Sequence, residues 1–414
     1  MALIGKLIER LLTRGTITVI TAGGKRATYG PGGGKALTIR FADRRVPFDL
    51  IRNPRLGFGE AYMDGRLVIE DAKVLDLLEM VTGSHRWEEG GGGRKLFGKS
   101  KLSGLKALVR RNDPRRSRRN VAHHYDLRDE LYETFLEPDR QYSCAYFTDP
   151  ANSLEQAQAD KKAHIAAKLD LRPGQRVLDI GCGWGGMALY LHRVAKVDVL
   201  GITLSEEQLK VARKSAADEG VADRVRFELI DYRDVSGPFD RIVSVGMFEH
   251  VGLAHYDEFF ARCRDLLKPD GVMLLHTIGK LGSASAAPDP FTDKYIFPGH
   301  HLPSLSQMAA ASQKARLIAS DVETLRLHYA YTLRHWLDRA TRARDTIEAM
   351  YDARFFRMWE FYLAGGIVLF ENGAGCNYQL QYIRDRNALP ITRDYLAQAE
   401  GRYREAPSSN HSGA

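Results

Sequence analysis

A glycine-rich segment that follows a short apolar run is the first sign of chemistry in this 414-residue sequence. In VLDIGCGWGG (residues 177–186), Gly181, Gly183 and Gly185 follow Asp179, which lies near the end of the apolar run. Glycine lets the backbone approach a ligand closely, but a lone GxGxG pattern is a weak signal. Here a predicted strand precedes the glycines and a predicted helix follows them, which is the context of a nucleotide-binding loop.

The next predicted strand distinguishes between two classes of adenosyl ligand. A dinucleotide site needs an acidic residue at the end of that strand to hold a ribose. The strand instead ends in GITLSEEQ, with Thr203 and Gln208. The glycine loop also carries no basic residue for a pyrophosphate. The pattern therefore favours S-adenosylmethionine over NAD.

From residue 120 onward, apolar segments alternate with helical ones. The predicted strands are RVLDIG, VDVLGIT, RVRFELI, FDRIVSVG and GVMLLHTIG, with helices such as SEEQLKVARKSAADEG and HYDEFFARCRDLLK between them. This alternation predicts an α/β fold, a Rossmann-like parallel sheet with helices on both faces. Glu249 and His276 each follow an apolar segment, so we expect both at the carboxyl edge of the sheet, where ligands bind.

Composition divides the chain into four parts. Residues 1–82 are predicted to be a small α+β domain, with an N-terminal helix, strands TITVIT and KALTIRF, and helix DAKVLDLLEMV. Residues 83–119 form a Gly-rich and basic linker, and residues 120–395 form the catalytic domain, which is helical over 321–371. Residues 396–414 are predicted to be a disordered tail. The apolar stripe of the first helix indicates packing on its own domain or an interfacial membrane helix.

Positive charge is concentrated in the linker. Residues 94–119 hold eleven Lys or Arg and one acid, a net charge of +10, so the rest of the chain carries −2 of the total +8. Such a segment is a solvated linker or an anchor for anionic lipid. Nucleic acid has little support, because the segment has one aromatic residue, Phe97, for base stacking. The four cysteines show no CxxC spacing, which argues against a disulfide framework or a zinc site.

Seven motifs in this sequence resemble cyclopropane-fatty-acyl-phospholipid synthases. They are LGFGEAYMDG (56–65), QYSCAYF (141–147), VLDIGCGWGG (177–186), DYRD (231–234), RIVSVGMFEHVG (241–252), LLHTIG (274–279) and KYIFPG (294–299). The resemblance covers nearly the whole chain except the linker and the tail, and VGMFEHVG with LLHTIG is its most specific part. The shorter mycolic-acid relatives of this family lack the first domain.

The resemblance implies methyl transfer from S-adenosylmethionine to a cis double bond in a phospholipid acyl chain, then loss of a proton and ring closure, with bound bicarbonate as base. The implied bicarbonate ligands are Cys144, Glu249, His276, Tyr329 and the backbone of Ile278. The implied cofactor contacts are Tyr142 and Ser143 at the methionine end; Asp179, Gly181, Cys182, Gly183 and Gly185 in the loop; and Thr203, Leu204, Gln208, Asp231 and Tyr232 at the ribose and adenine.

The same resemblance implies a homodimer, bound peripherally at the inner face of the cytoplasmic membrane to unsaturated phospholipids. One departure concerns a late-helix cysteine that has been proposed as a nucleophile in the family, because this chain has Gly366 at that position. Three other functions stay open: a lipid C-methyltransferase with a methyl-branched or methyl-unsaturated product, a nucleic-acid methyltransferase, and a lipid-binding protein without catalysis. The intact glycine loop argues against the last, and the absence of an Asn-Pro-Pro-aromatic motif or paired cysteines argues against the second.

Overall fold

The computed structural model describes residues 2–90, 127–282 and 289–405. The basic segment 94–119 and the end of the predicted tail lie outside these residues. Of the helices within the described ranges, none is long and apolar enough to cross a membrane.

The N-terminal part of the chain folds around its own apolar core. Its elements are α1 (Ala2–Leu11), β1 (Gly15–Ile20), β2 (Arg26–Gly32), β3 (Ala36–Phe41), α2 (Val46–Arg52), α3 (Pro54–Met63), β4 (Leu67–Ile69) and α4 (Val74–Gly83). The strand order is β2-β1-β3-β4, with β1 and β3 parallel. Ile4, Ile8 and Leu12 are buried in this core, so the apolar stripe of α1 packs on its own domain. The predicted α+β domain is confirmed.

The remaining described residues form a second, larger body. Its elements are α5 (Asp129–Phe135), α6 (Leu154–Lys168), β5 (Arg176–Ile180), α7 (Gly186–Ala195), β6 (Asp198–Thr203), α8 (Glu206–Asp218), β7 (Val225–Leu229), β8 (Phe239–Val245), α9 (Tyr256–Leu266), β9 (Leu267–Lys280), α10 (Pro290–Tyr295), α11 (Leu305–Lys314), β10 (Ile318–Thr324), α12 (His328–Arg342), α13 (Arg344–Met350), α14 (Ala353–Glu371), β11 (Gly375–Ile383) and α15 (Asp394–Arg404).

Seven strands of this body make one sheet, in the order β10-β11-β9-β8-β5-β6-β7. The pairs between β9 and β7 are parallel, whereas β11 runs antiparallel to both β9 and β10. Adjacent residues of one strand enter different cores: Leu275 packs with α9 and α11, and Leu274 packs with α6, α7 and α8. Helices therefore cover both faces, and the predicted Rossmann-like fold is confirmed with one reversed strand.

Three segments differ from the predicted elements. Residues 318–324 form strand β10, so the predicted helical region begins at His328. Strand β11 was not predicted, because its alternating polar residues concealed a segment that is buried along its whole length. The predicted disordered tail is wrong for residues 396–405. Helix α15 docks there through buried Ala399 and through the backbone carbonyl of Tyr403, which accepts a hydrogen bond from Tyr190 Oη at 2.9 Å.

Helix α3 of the first domain packs directly on α10 and α14 of the second body. Glu60 pairs with Lys294 Nζ at 2.6 Å and accepts a hydrogen bond from Tyr295 Oη at 2.8 Å. Tyr62 Oη donates to Glu360 at 2.5 Å, and Gly59 lies against the Phe291 ring. The LGFGEAYMDG motif therefore forms part of the contact between the two domains, and α4 adds to it through the Glu79–Arg334 ion pair at 2.6 Å.

Candidate active site

A pocket opens at the carboxyl edge of β5, β6 and β8. Eleven of the twelve predicted cofactor residues line it: Tyr142, Ser143, Asp179, Gly181, Cys182, Gly183, Thr203, Leu204, Gln208, Asp231 and Tyr232. Five separate sequence segments supply its walls, which fits a ligand as extended as S-adenosylmethionine. Parallel strands end at one edge of the sheet, and this brings the segments together.

The glycines of the loop have different roles. Gly183 has φ +55°, and a Cβ placed on it meets no atom within 4 Å, so its open side faces the pocket. Gly185 is the twelfth predicted residue and does not line the pocket. Its Cβ would lie 2.7 Å from the Phe227 ring and 3.0 Å from Ala212 Cβ. Gly185 therefore permits close packing of the loop on β7 and α8, as the third glycine of such loops does.

Asp179 presents a buried carboxylate to the pocket. It is 1% exposed, and its Oδ2 atom has no hydrogen-bond partner within the described ranges. Burial raises the pKa of Asp179 to about 7, although the nearby Lys161 ammonium opposes this shift. A buried polar atom without a partner is costly, so a cationic group of the ligand is a suitable partner for Asp179.

Polar side chains at the ends of β6 and β7 provide the far side of the pocket. Thr203 Oγ1 lies 3.1 Å from Gln208 Oε1 and accepts a hydrogen bond from the N–H of Ser205 at 3.1 Å. Arg233 binds the Asp231 carboxylate through two nitrogens, at 2.9 and 2.7 Å. These hydroxyl, amide and carboxylate groups suit a ribose and an adenine better than a pyrophosphate.

Sequence reasoning missed several residues that also line the pocket. They are Arg140, Gln141, Ile180, Trp184, Met187, Ile202, Ile230, Arg233, Val245, Gly246, Met247, His250 and Val251. Most are direct neighbours of predicted residues, so the motifs located these segments but not every side chain that faces inward. Burial lowers the pKa of His250 to about 4, and this imidazole is therefore neutral at physiological pH.

Glu249 and Ile278 are brought together at the end of β9. Glu249 is 5% exposed, and its Oε1 accepts a hydrogen bond from Ile278 N–H at 2.5 Å. Its Oε2 is buried and has no partner among the residues described. Burial raises the pKa of Glu249 to about 7. A short 3-10 helix, Phe248–His250, positions this carboxylate between pocket-lining Met247 and His250.

Cys144 and Tyr329 lie in one buried aromatic cluster. Both side chains belong to the core formed by α5, α12 and α14, and Ile278 packs against this core. Burial raises the pKa of the Cys144 thiol, so the thiol keeps its proton. Thr332 Oγ1 accepts a hydrogen bond from the backbone N–H of Ala145 at 3.0 Å, which ties the QYSCAYF segment to α12.

His276 is held by strand β11. Its Nε2 lies 2.9 Å from Asn377 Nδ2, and its Nδ1 lies 3.1 Å from Gln379 Nε2. Burial lowers the pKa of His276, so the ring is neutral and has one N–H and one bare nitrogen. Rotating the side-chain amide of either Asn377 or Gln379 by 180° would place its oxygen against the ring N–H, and each ring nitrogen would then have a complementary partner. In residues 2–90, 127–282 and 289–405, His276 makes no hydrogen bond to Glu249 or Cys144.

The described residues contain no candidate metal site. No group of three or more His, Cys, Asp or Glu residues there has an arrangement that would hold a metal ion. All four cysteines are free thiols.

Comparison with known proteins places this chain in a family. The sequence profile described as mycolic acid cyclopropane synthetase matches residues 112–380, and a domain of unknown function (DUF7884) matches residues 4–86. A probable fatty acid methyltransferase from Pseudomonas putida is 41% identical over 297 residues, 69% of this chain and 75% of that protein. The cyclopropane-fatty-acyl-phospholipid synthase of Escherichia coli strain K12 is 40% identical over 319 residues, 76% of this chain and 79% of that protein.

A solved structure supports the same assignment. The mycolic acid cyclopropane synthase CmaA1 complexed with SAH and CTAB aligns with a TM-score of 0.60 and 33% identity, over 64% of this chain and 97% of that chain. That alignment agrees with the α/β fold of the second body. The chain therefore belongs to the mycolic acid cyclopropane synthetase family and is an S-adenosylmethionine-dependent methyltransferase.

Proposed function

We propose that this enzyme transfers a methylene group from S-adenosylmethionine to the cis double bond of an unsaturated phospholipid acyl chain and forms a cyclopropane. The buried Glu249 carboxylate carries the proposal. It lies on the Ile278 N–H, between pocket-lining residues but outside the pocket lining itself. A carboxylate so placed suits a reaction in which a proton leaves a carbon atom next to the cofactor.

The reaction makes two demands on the active site. An alkene is a weak nucleophile, so the sulfonium must be held close to it and water excluded. Methyl transfer leaves S-adenosylhomocysteine and a carbocation, and loss of one methyl proton then closes the ring. Aromatic rings stabilise cations, and Tyr142 stacks on Trp336 with ring centroids 5.1 Å apart in the same cluster as Cys144 and Tyr329.

Bicarbonate is the proposed base, and two of the five predicted ligands suit a small oxyanion that carries a proton. His276 is not one of them, because both of its ring nitrogens already face amides of β11. Glu249 Oε2 is an acceptor without a partner in the described residues, and Cys144 is a neutral thiol donor. Ile278 N–H already donates to Glu249, so it contributes by fixing that carboxylate. When bound, bicarbonate supplies the base. If the carbocation alkylates bicarbonate, the adduct can leave, whereas an alkylated side chain would remain attached to the protein.

Removal of bicarbonate tests that assignment. We expect turnover by enzyme stripped of carbon dioxide and bicarbonate to fall and to recover when bicarbonate is added. A Glu249→Gln variant should recover far less. If wild-type enzyme is indifferent to bicarbonate, the base is a side chain, and His276 and Tyr329 are then the first residues to replace.

The description of one relative favours a different product. The 41% identical Pseudomonas putida protein is described as a probable fatty acid methyltransferase. A methyl-unsaturated chain would arise from the same pocket and carbocation if the proton left from a different carbon. A saturated methyl-branched chain would also require a hydride donor to reduce it. Lipid mass spectrometry of a null host with and without this chain separates the two. A ring and a methylated alkene both gain 14 daltons, but the ring resists mild hydrogenation, whereas the methylated alkene takes up hydrogen. A saturated methyl branch would gain 16 daltons.

The substrate also implies where the enzyme works. Acyl double bonds lie inside a bilayer, so we propose peripheral binding to the inner face of the cytoplasmic membrane. Homodimerisation belongs to the same proposal. Sedimentation velocity of the full chain tests it, and a single monomeric species across micromolar concentrations would exclude a dimer.

A further inference from the structure

Lys161 of α6 has a fully buried amino group next to the cofactor pocket, and burial lowers its pKa to about 7 against the opposing charge of Glu137. It is 0% exposed, and its Nζ lies 2.8 Å from Gln141 Oε1 and 2.8 Å from Ser143 Oγ. Both acceptors are neutral, and both residues line the pocket. No carboxylate in the described part of the chain comes within ion-pair distance of Nζ, the arrangement that usually compensates a buried charge.

Gln158, which lies one turn before Lys161 on α6, binds the same loop at residues 141–143. Gln158 Nε2 donates to the carbonyl oxygens of Gln141 and Ser143, each at 3.0 Å. Glu137, the acid whose charge most favours the ammonium, accepts hydrogen bonds from the backbone N–H groups of Asp139 and Gln141 instead. Because Gln158 already holds the loop with neutral bonds, a buried charge at Lys161 points to a purpose beyond shape.

The direction of the hydrogen bond at Ser143 indicates that purpose. In its ammonium form Lys161 has donors only, and in that form Ser143 Oγ accepts from it. Within the described ranges this hydroxyl makes no second hydrogen bond, so its proton is free for the pocket that Ser143 lines. On another wall of the same pocket, Asp179 Oδ2 is a buried acceptor without a partner in those ranges.

The pocket thus offers opposite charges on two walls. A hydroxyl donor backed by an ammonium lies on one wall, and a carboxylate lies on the other. The two charges interact, because the Lys161 ammonium opposes the burial that raises the pKa of Asp179. An α-amino acid end of a ligand, with one carboxylate and one ammonium, complements this arrangement.

We propose that Lys161 is a positioning residue that fixes the Ser143 hydroxyl as a donor to the carboxylate of S-adenosylmethionine, while Asp179 receives the α-ammonium. This inference rests on the proposed function only through the methyl donor. It does not depend on the lipid, the ring or the base.

Calorimetric titration of the full chain with two ligands tests the inference. S-adenosylmethionine carries the amino acid end, whereas 5′-methylthioadenosine lacks it and keeps the adenosine. Lys161→Met should weaken binding of S-adenosylmethionine by about tenfold or more, since a hydrogen bond to a charged group is lost. Binding of 5′-methylthioadenosine should change by less than about twofold.

Two further variants make the test specific. Ser143→Ala should match Lys161→Met, and the double variant should be no weaker than Ser143→Ala, because residues that act through one another are not additive. Lys162→Met is the matched control. Lys162 is also nearly buried, but it pairs with Asp139 and lies over the Tyr190 ring, so it should bind both ligands as wild type does.

Each other outcome overturns the inference. Equal losses for both ligands would make Lys161 a structural support of the whole pocket. Unchanged affinity in a folded Lys161→Met protein, or additive losses in the double variant, would remove the link through Ser143. If the Met variant does not fold, Lys161→Gln takes its place, and Ser143→Ala must still discriminate between the ligands. Wild-type protein that binds no S-adenosylmethionine would refute the proposed function instead.

Discussion

At the scale of single residues, Glu249 separates the chemical step from cofactor binding. Glu249→Gln keeps the shape of the side chain and its acceptor for Ile278 N–H but removes the charge. We expect turnover to fall by about 100-fold or more, since one preorganised electrostatic group is commonly worth a few kcal/mol in the transition state. The affinity for S-adenosylmethionine should change less than about tenfold, because Glu249 does not line the pocket.

Initial rates and calorimetry on the same preparation measure the two effects. Exposed Glu9 on α1 of the first domain provides the control, because Glu9→Gln removes the same charge away from the site and should leave both quantities unchanged. A parallel loss of turnover and cofactor affinity in Glu249→Gln would assign Glu249 to the cofactor contacts.

Gly183 tests the open side of the glycine loop. Both Gly183 and Gly220 have positive φ, +55° and +68°, and a Cβ on either meets no atom within 4 Å. Valine at either position should cost about 1–2 kcal/mol of stability from the left-handed backbone. Only Gly183→Val should also weaken S-adenosylmethionine binding, by at least about tenfold, because its side chain enters the pocket.

Thermal melts of the two variants measure the cost of the strained backbone, and calorimetry measures whether the new side chain obstructs cofactor binding. Equal cofactor affinity in Gly183→Val and Gly220→Val would show that the loop tolerates a side chain and that the ligand lies elsewhere.

These residues show what the sequence predicts well and what it does not. The glycine pattern and the neighbouring strands located Asp179, the loop glycines, Thr203 and Gln208, because these lie at the ends of strands that the apolar pattern identifies. Tyr142 and Ser143 follow no strand, and only the family resemblance indicated them. The partners of His276 were not predictable in this way. Asn377 and Gln379 lie a hundred residues later on a strand whose pairing with β9 depends on the fold of the whole domain.

At the scale of elements, the packing of α3 on α10 and α14 depends on a glycine. A Cβ on Gly59 would lie 2.4 Å from the Phe291 ring and 2.8 Å from the Phe361 ring. Gly59→Ala should therefore destabilise the protein by about 1–3 kcal/mol, as overpacking does. Gly83→Ala is the matched control: it is also helical, its Cβ meets nothing within 4 Å, and it should be neutral or slightly stabilising.

Urea denaturation gives the two free energies, and proteolysis between the domains reports on their contact. We expect faster cleavage between residues 90 and 127 in Gly59→Ala only. If both alanine variants unfold like wild type, α3 can move away from Phe291 without cost, and the contact between domains is not tightly packed.

The elements that sequence missed share a physical cause. Strand β11 carries polar residues at alternate positions, which is typical of a strand with one wet face, yet both of its faces are buried. Its polar face is occupied by His276 and by the backbone of α6, to which Gln381 donates. Helix α15 was assigned to the tail because few apolar residues mark it, and it is held largely by polar contacts such as Glu400 with His164.

At the scale of the whole molecule, the positive charge is concentrated in a segment of the sequence that is separate from the candidate active-site residues. Residues 94–119 carry +10 and the remaining residues carry −2. Ile4 and Ile8 of α1 pack inside the first domain, which leaves Leu3, 65% exposed, as the main apolar side chain that α1 offers to a bilayer. The basic segment is thus the stronger candidate for attraction to anionic lipid, at about 1 kcal/mol per basic residue near such a surface.

The basic segment should therefore attract the enzyme to bilayers that contain anionic lipid. Replacing Arg115, Arg116, Arg118 and Arg119 by Gln should weaken binding to vesicles that contain anionic phospholipid, and the effect should be largest at low salt. Exposed charges are screened over about 8 Å at physiological ionic strength, so wild-type binding should itself fall as salt rises. Co-sedimentation with anionic and with uncharged vesicles, across a range of salt concentrations, gives the measurement.

A variant with the same change in net charge makes the result specific to the segment. Arg226, Arg316, Arg326 and Arg386 are exposed on the second body, and their replacement by Gln also removes four positive charges. If binding depends on net charge alone, the two variants will lose affinity equally at each salt concentration. If the segment is the anchor, the first variant will lose binding while the second keeps it, and both will retain turnover on lipid dispersed in detergent. Equal binding by wild type and the first variant at every salt concentration would exclude residues 115–119 from membrane recognition.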